Sequence, residues 1–214
     1  MPRRSSPKPT RVILVRHGQT TTTGSILPGR TPDLHLADKG TQQADAVAAR
    51  LARLKKVSAV YASPLERTRE TAAPISAALH LRTRTRRGLL ECDFGGWTGR
   101  KLADLTKLPE WRTVQSTPSV FRFPGGESFS EMQSRIVAEI DALVVRHPGQ
   151  TIVAVSHADP IKAAVAHYSG IHLDLFQRIV ISPCSVTPLI LGAGSPIVLA
   201  VNSTGDDLTT LVPS

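Results

Sequence analysis

Apolar positions along this chain alternate between two rhythms. Short aliphatic runs, such as Val12-Ile13-Leu14-Val15 and Ala59-Val60-Tyr61-Ala62, read as buried strands. Between them, apolar residues recur three and four positions apart, the spacing of a helix face. The pattern predicts strands at 11–16, 59–62 and 151–155, with late strands around 185–191 and 197–201. It predicts a helix from Asp38 through Leu54, with Ala44, Val47, Ala48, Leu51 and Leu54 on one face. A second helix follows Ser63, with Ser63 as N-cap, Pro64 in the first helical position and Glu66 closing a capping box, and it extends to about Leu79. Ser128 and Glu131 form another capping box, and Met132, Ile136, Ile140 and Leu143 continue one face until Pro148-Gly149 stops it. Asp159-Pro160 starts a further helix. Residues 88–100 read as irregular, and 101–126 as a short helix followed by a long surface excursion of the kind that forms lids.

Strands alternating with helices predict an α/β fold, a three-layer α/β/α sandwich around a mainly parallel sheet. With 214 residues, 41% of them hydrophobic, one core is expected: a single catalytic domain over 11–205, a flexible basic tail at 1–10 and a C-terminal tail at 206–214. The two cysteines, Cys92 and Cys184, have neither CxxC spacing nor the number for a disulfide framework, so a reducing, cytoplasmic location is expected. No run is long enough for a membrane span, and no apolar signal core follows the basic start. Net charge is +9, but Arg3, Arg4, Lys8 and Arg11 supply part of it beside the tail, leaving +5 for the rest. A second basic cluster, Arg82, Arg84, Arg86 and Arg87, alternates with threonine as a strand edge or solvated loop does. With aromatics at 4% and no helix-turn-helix, zinc or RNP signature, nucleic acid is disfavoured as a partner, and a small anionic substrate explains inward arginines as well. A homodimer is compatible with the sequence, which does not decide oligomeric state.

Chemistry concentrates where strands end. The first strand stops at Arg16-His17-Gly18, the second at Ser63 with Arg67 one turn into the next helix, and the third at Ser156-His157. Parallel neighbours would bring these groups to one carboxyl edge, the usual ligand position of an open α/β sheet. Taken singly, Arg67 reads as a solvated helix residue and His157 as a satisfied core histidine. Together, two arginines, two histidines and helix N-termini make an anion trap suited to phosphate.

Val12 through Thr20 (VILVRHGQT) resembles the signature of the histidine phosphatase superfamily, phosphoglycerate mutase-like branch. Ser63 through Ala72, Leu90 through Gly99, Pro124 through Ser128 and Val155-Ser156-His157 are similar to its remaining blocks, in order. Glu91–Arg100 and Leu173–Val180 resemble an actinobacterial subfamily labelled as phosphomutases. The resemblance implies that His17 is the nucleophile that carries a phosphohistidine. It implies that Arg16, Arg67 and His157 hold the phosphoryl oxygens and that Glu91 is the general acid, its pKa raised by apolar neighbours such as Phe94 and Trp97. Thr23, Gly24, Arg30 and Ala158 are further candidates for phosphate or substrate contact. No cofactor and no metal is implied. The chain departs from the family pattern at Gln19, at Thr23 where asparagine is usual, at Ala158 where glycine is usual, and at Thr98 where glutamate is common in alpha-ribazole phosphatase-like members. The expected activity is metal-independent hydrolysis of a small phosphorylated metabolite. The alternatives are a phosphomutase with the same intermediate and, more distantly, a non-catalytic phospholigand- or nucleic-acid-binding protein.

Overall fold

Strand β1 (Thr10–Arg16) lies inside the sheet, covered on both faces and both edges, which is why its sequence is apolar without alternation. The computed structural model describes residues 8–192, 194–205 and 207–211. After β1 come α1 (Asp38–Leu51), β2 (Val57–Ala62), α2 (Glu66–Ala78), β3 (Thr83–Thr85), the short helices α3 (Leu102–Leu105) and α4 (Glu110–Ser116), and α5 (Phe129–Arg146). Then follow β4 (Thr151–Ser156), α6 (Ala158–Tyr168), β5 (Val186–Leu191) and β6 (Ile197–Val198). The six strands form one sheet in the order β3-β2-β4-β1-β5-β6. β1, β2, β3 and β4 run parallel, and β5 is antiparallel to both β1 and β6. No helix of the described residues is long and apolar enough to cross a membrane.

Alternate residues of each central strand feed two separate cores. Val12, Leu14, Ile152 and Ala154 pack with Met132, Ile136 and Ile140 of α5 and Ile161 of α6. Ile13, Val15, Val153 and Val155 pack with Val47 and Leu51 of α1 and Ile75 of α2. Helices therefore cover both faces, giving the expected three layers. The capping box at α5 forms as predicted: Ser128 Oγ accepts the Glu131 N–H at 3.1 Å, and Glu131 Oε2 accepts the Ser128 N–H at 2.9 Å.

Several expectations are corrected. The box predicted at Ser63 does not form: α2 starts at Glu66 behind Leu65, with no side-chain cap, because the Ser63 hydroxyl is taken by His157. Helix α1 ends at Leu51, and α6 begins at Ala158, one residue before the predicted start. The late strand predicted over 197–201 is only Ile197–Val198. The arginine-threonine alternation is the short edge strand β3, with Arg82 and Arg84 exposed, a charged edge that discourages further pairing. The excursion at 101–126 is not mere surface. Phe121 and Phe123 are buried and meet Trp97, Phe94 and Phe129 in an aromatic core. Most of the predicted N-terminal tail lies outside the described residues, but the Lys8 carbonyl accepts the Gly149 N–H. The predicted C-terminal tail is part of the fold where it is described: Leu208 is buried against the α1–α2 core.

Gly18 and Gly40 explain how the loop after β1 is held. A Cβ on Gly18 would stand 2.5 Å from the Gly40 carbonyl oxygen, and one on Gly40 only 2.0 Å from the Gln19 carbonyl oxygen. The glycine after His17 therefore serves the close contact of this backbone on α1. Helix propensity alone favours Gly40→Ala by about 1 kcal/mol. The clash reverses that sign, and the variant is expected to lose more than about 2 kcal/mol in a denaturant titration.

Candidate active site

The register of the sheet brings the strand ends together. Arg16 lies opposite Ser156, Ala62 lies opposite Val155, and the His17 N–H donates to the Ser156 carbonyl at 3.0 Å. The His17 and His157 ring centroids are 5.2 Å apart. Arg67, in the first turn of α2, is fully buried and leans back toward the sheet edge, where its Nη2 donates to the Gly29 carbonyl at 2.7 Å. Arg16 Nη1 donates to the Ile181 carbonyl at 2.7 Å. These bonds aim the two guanidinium groups without neutralising them. Arg16 Nε, Arg67 Nε and Nη1, and His157 Nδ1 remain buried without a partner. Unpaired buried polar groups cost about 1–3 kcal/mol each, and more when charged, so such a concentration marks a place for an anion.

His17 Nδ1 lies 2.7 Å from the Gly18 carbonyl, which can only accept, so Nδ1 carries the ring proton and Nε2 keeps its lone pair. Burial, then the charges of Arg67 and Arg16, hold its pKa well below the ordinary histidine value, so the ring is neutral. His157 is pushed down by the same burial and by Arg67. Its Nε2 meets the Ser63 hydroxyl at 2.9 Å, and its Nδ1 lies 4.0 Å from Glu91 Oε2. Glu91 is buried, and its pKa is raised to about 7, first by desolvation and then by the neighbouring Asp159 carboxylate, against the pull of Arg67.

A cleft of about 380 Å³ opens onto Arg16, His17 and Glu91. Thr23, Gly24 and Ala158 line it. Thr23 Oγ1 is already accepting the Thr20 N–H at 2.9 Å. Arg30 is turned elsewhere: its Nε donates to the Glu91 carbonyl at 2.9 Å and its Nη2 pairs with Glu127 at 2.9 Å, so it braces the loop behind the carboxylate. The partner in that brace is Arg135, which sequence reasoning missed. Its guanidinium grips Glu127 with two nitrogens, at 2.8 and 2.9 Å, and donates to the carbonyls of Gly88, Leu90 and Glu91. Nothing in a single sequence separates Arg135 from the other polar residues on α5. Asp159 and Lys162 were missed too, although Asp159 stands two residues after His157. Ser156, by contrast, turns its hydroxyl to the Leu89 carbonyl at 2.8 Å and serves the fold. Among the described residues, no group of three or more histidine, cysteine, aspartate or glutamate side chains could hold a metal ion.

The sequence profile of the histidine phosphatase superfamily (branch 1) matches residues 12–204. A Mycobacterium tuberculosis chain named as a bifunctional protein is 35% identical over 176 residues, covering 78% of this chain and 48% of its own length, so this chain spans about half of that relative. Phosphoserine phosphatase 1 of Hydrogenobacter thermophilus is 30% identical over 198 residues, covering 91% of this chain and 92% of that protein. The crystal structure of a phosphoserine phosphatase from Entamoeba histolytica, in complex with 3-phosphoglyceric acid, superposes with a TM-score of 0.82 at 27% identity, covering 91% of this chain and 98% of the other.

Two outcomes test the electrostatics. Glu91 has a folded pKa of about 7, above the ordinary 4.5, so its contribution to stability is present in full below 4.5 and is lost as pH rises through 7. Glu91→Gln cannot ionise, so its stability relative to wild type should improve between pH 5 and pH 8, by at most about 3 kcal/mol. A constant difference across that range would contradict the assignment. Arg135→Leu leaves Glu127 and several loop carbonyls unpaired, and should cost about 3 kcal/mol in a thermal or denaturant melt.

Proposed function

The chain belongs to branch 1 of the histidine phosphatase superfamily, and we propose that it hydrolyses a small phosphomonoester through a phosphohistidine on His17, without a metal ion. The observation that carries this reading is the set of buried, unpartnered donors of Arg16, Arg67 and His157 around a neutral imidazole whose free nitrogen is Nε2. In the first step Nε2 bonds to phosphorus while the ester P–O bond breaks, and Glu91 delivers its proton to the departing oxygen. In the second, water attacks phosphorus, Glu91 takes up a proton, and the P–N bond breaks to release phosphate. The guanidinium groups stabilise charge on the phosphoryl oxygens in both steps and are set in place beforehand by the Gly29 and Ile181 carbonyls. Ser63 positions His157: when its hydroxyl donates to Nε2, the ring proton sits on Nδ1, where it can donate to a phosphoryl oxygen.

Transfer to water rather than to a second substrate hydroxyl is supported by the charge inventory of the cleft. Besides Arg16, the cation on its wall is Lys162, already paired with Asp159 at 3.2 Å. A phosphomutase with a bisphosphorylated intermediate has a second phosphate to neutralise, and among the described residues this cleft adds no cation for it beyond Arg16 and the paired Lys162.

His17→Ala should abolish turnover, by at least about a thousandfold, together with acid-labile phosphorylation of the protein. Retained activity would remove the mechanism, and isomerised product without phosphate release would favour the mutase. Excess EDTA should leave the rate unchanged. For esters with poor leaving groups, kcat should fall as pH rises above about 7 and Glu91 loses its proton. Glu91→Gln should flatten that alkaline limb.

A further inference from the structure

Beside the catalytic cleft lies a smaller chamber of about 220 Å³, walled by Trp111, Val114, Phe123 and Phe129. Leu27, Phe94 and Leu102 line both spaces, as do Asp159, Lys162 and Gln177, so chamber and cleft share one wall. An apolar cavity of about 150 Å³ accepts a benzene ring, so this chamber has room for a ring and a short linker.

The charged part of the shared wall is already paired. Lys162 Nζ donates to Asp159 Oδ1 at 3.2 Å and to Gln177 Oε1 at 3.1 Å, and lies 5.8 Å from the centroid of the Phe176 ring. The lysine and aspartate side chains are 17% and 18% exposed. Among the described residues, the one other cation lining either space is Arg16, at the phosphoryl end. A carboxylate or second phosphate on the substrate would find only the one remaining N–H of Lys162, beside the Asp159 carboxylate that already neutralises that lysine, so it recovers little of the hydration it gives up. An uncharged apolar group meets no such obstacle and gains from removing ring surface from water.

We propose that the chamber is the leaving-group subsite and that the substrate is the phosphomonoester of an uncharged alcohol bearing an aromatic or flat apolar body. This rests on the hydrolase reading above and narrows it, since the named phosphatase relative from Entamoeba histolytica was solved with a phosphorylated acid and this chain should disfavour one.

The test compares kcat/KM of the full chain on ethyl phosphate, 2-phenylethyl phosphate and phosphoglycolate. The first two leave as alkoxides of similar basicity, so their ratio reads the subsite rather than the chemistry. The phenylethyl ester should be favoured over the ethyl ester by about tenfold or more. Phosphoglycolate should be poorer than the phenylethyl ester. Val114→Phe, which fills the chamber, and Trp111→Ala, which removes one wall, should each reduce the phenylethyl-to-ethyl ratio at least about fivefold, with folding checked by thermal melting. Trp111 is only partly buried, so its variant carries the test if Val114→Phe does not fold. A wild-type ratio near one, a preference for phosphoglycolate, or folded variants that keep the wild-type ratio would overturn the subsite. No turnover of any ester and no acid-labile phosphoenzyme would remove the hydrolase reading, and this inference with it.

Discussion

Two guanidinium groups buried at one edge of a sheet, neither paired with a carboxylate among the described residues, are the constraint on which the rest of this structure depends. Such charge is costly to remove from water, and backbone carbonyls offset only part of that cost. The fold meets it with oriented dipoles from Gly29 and Ile181 and with the Glu91 carboxyl nearby, whose own pKa is raised to about 7 by burial. In the proposed mechanism the balance is completed by the phosphoryl oxygens, held where His17 presents its free nitrogen. Burial, aided by the same positive charge, keeps both histidines neutral, so in the proposed mechanism the groups that would bind the phosphoryl group also help to prepare its nucleophile.

The acid is built on a different principle. Glu91 lies on a loop without regular structure, and loops supply little rigidity of their own. Here rigidity is imported through Arg30, Glu127 and Arg135, whose charges lock the Glu91 carbonyl and its neighbours to α5. Gly95 and Gly126 add a second fastening. A Cβ on either would stand 2.2 Å from a backbone oxygen, of Pro124 or Asp93, so the two loops touch backbone to backbone. The carboxyl can therefore stay buried, protonated and in place near neutral pH without an element of its own.

The aromatic core links the acid loop to the excursion over 101–126. Phe94 and Trp97 from the one pack on Phe121 and Phe123 from the other, and Phe129 ties both to α5. Edge-to-face aromatic contacts add directional packing to plain apolar burial, so this group of rings fixes the shape of the space beside the cleft. The proposed phosphate chemistry and the proposed leaving-group subsite thus sit in separate parts of the fold, the first on strand ends, the second on short helices and rings.

The sequence by itself determined the alternating elements and the layered fold, and it singled out Arg16, His17, Arg67, Glu91 and His157 as candidates, because each depends on local periodicity or on a motif contained in a few consecutive residues. The capping box at Ser128 was legible for the same reason. Only the tertiary structure decided that Ser63 serves His157 instead of capping α2, that Gly18 yields space to Gly40, that Arg30 braces the loop rather than facing the cleft, and that Arg135 holds the acid in position. Each of these links residues at least 22 positions apart in the chain, where one side chain has several partners within reach. Which partner prevails depends on the balance of desolvation and hydrogen bonding once the sheet has brought them together, and that balance is not written in local spacing.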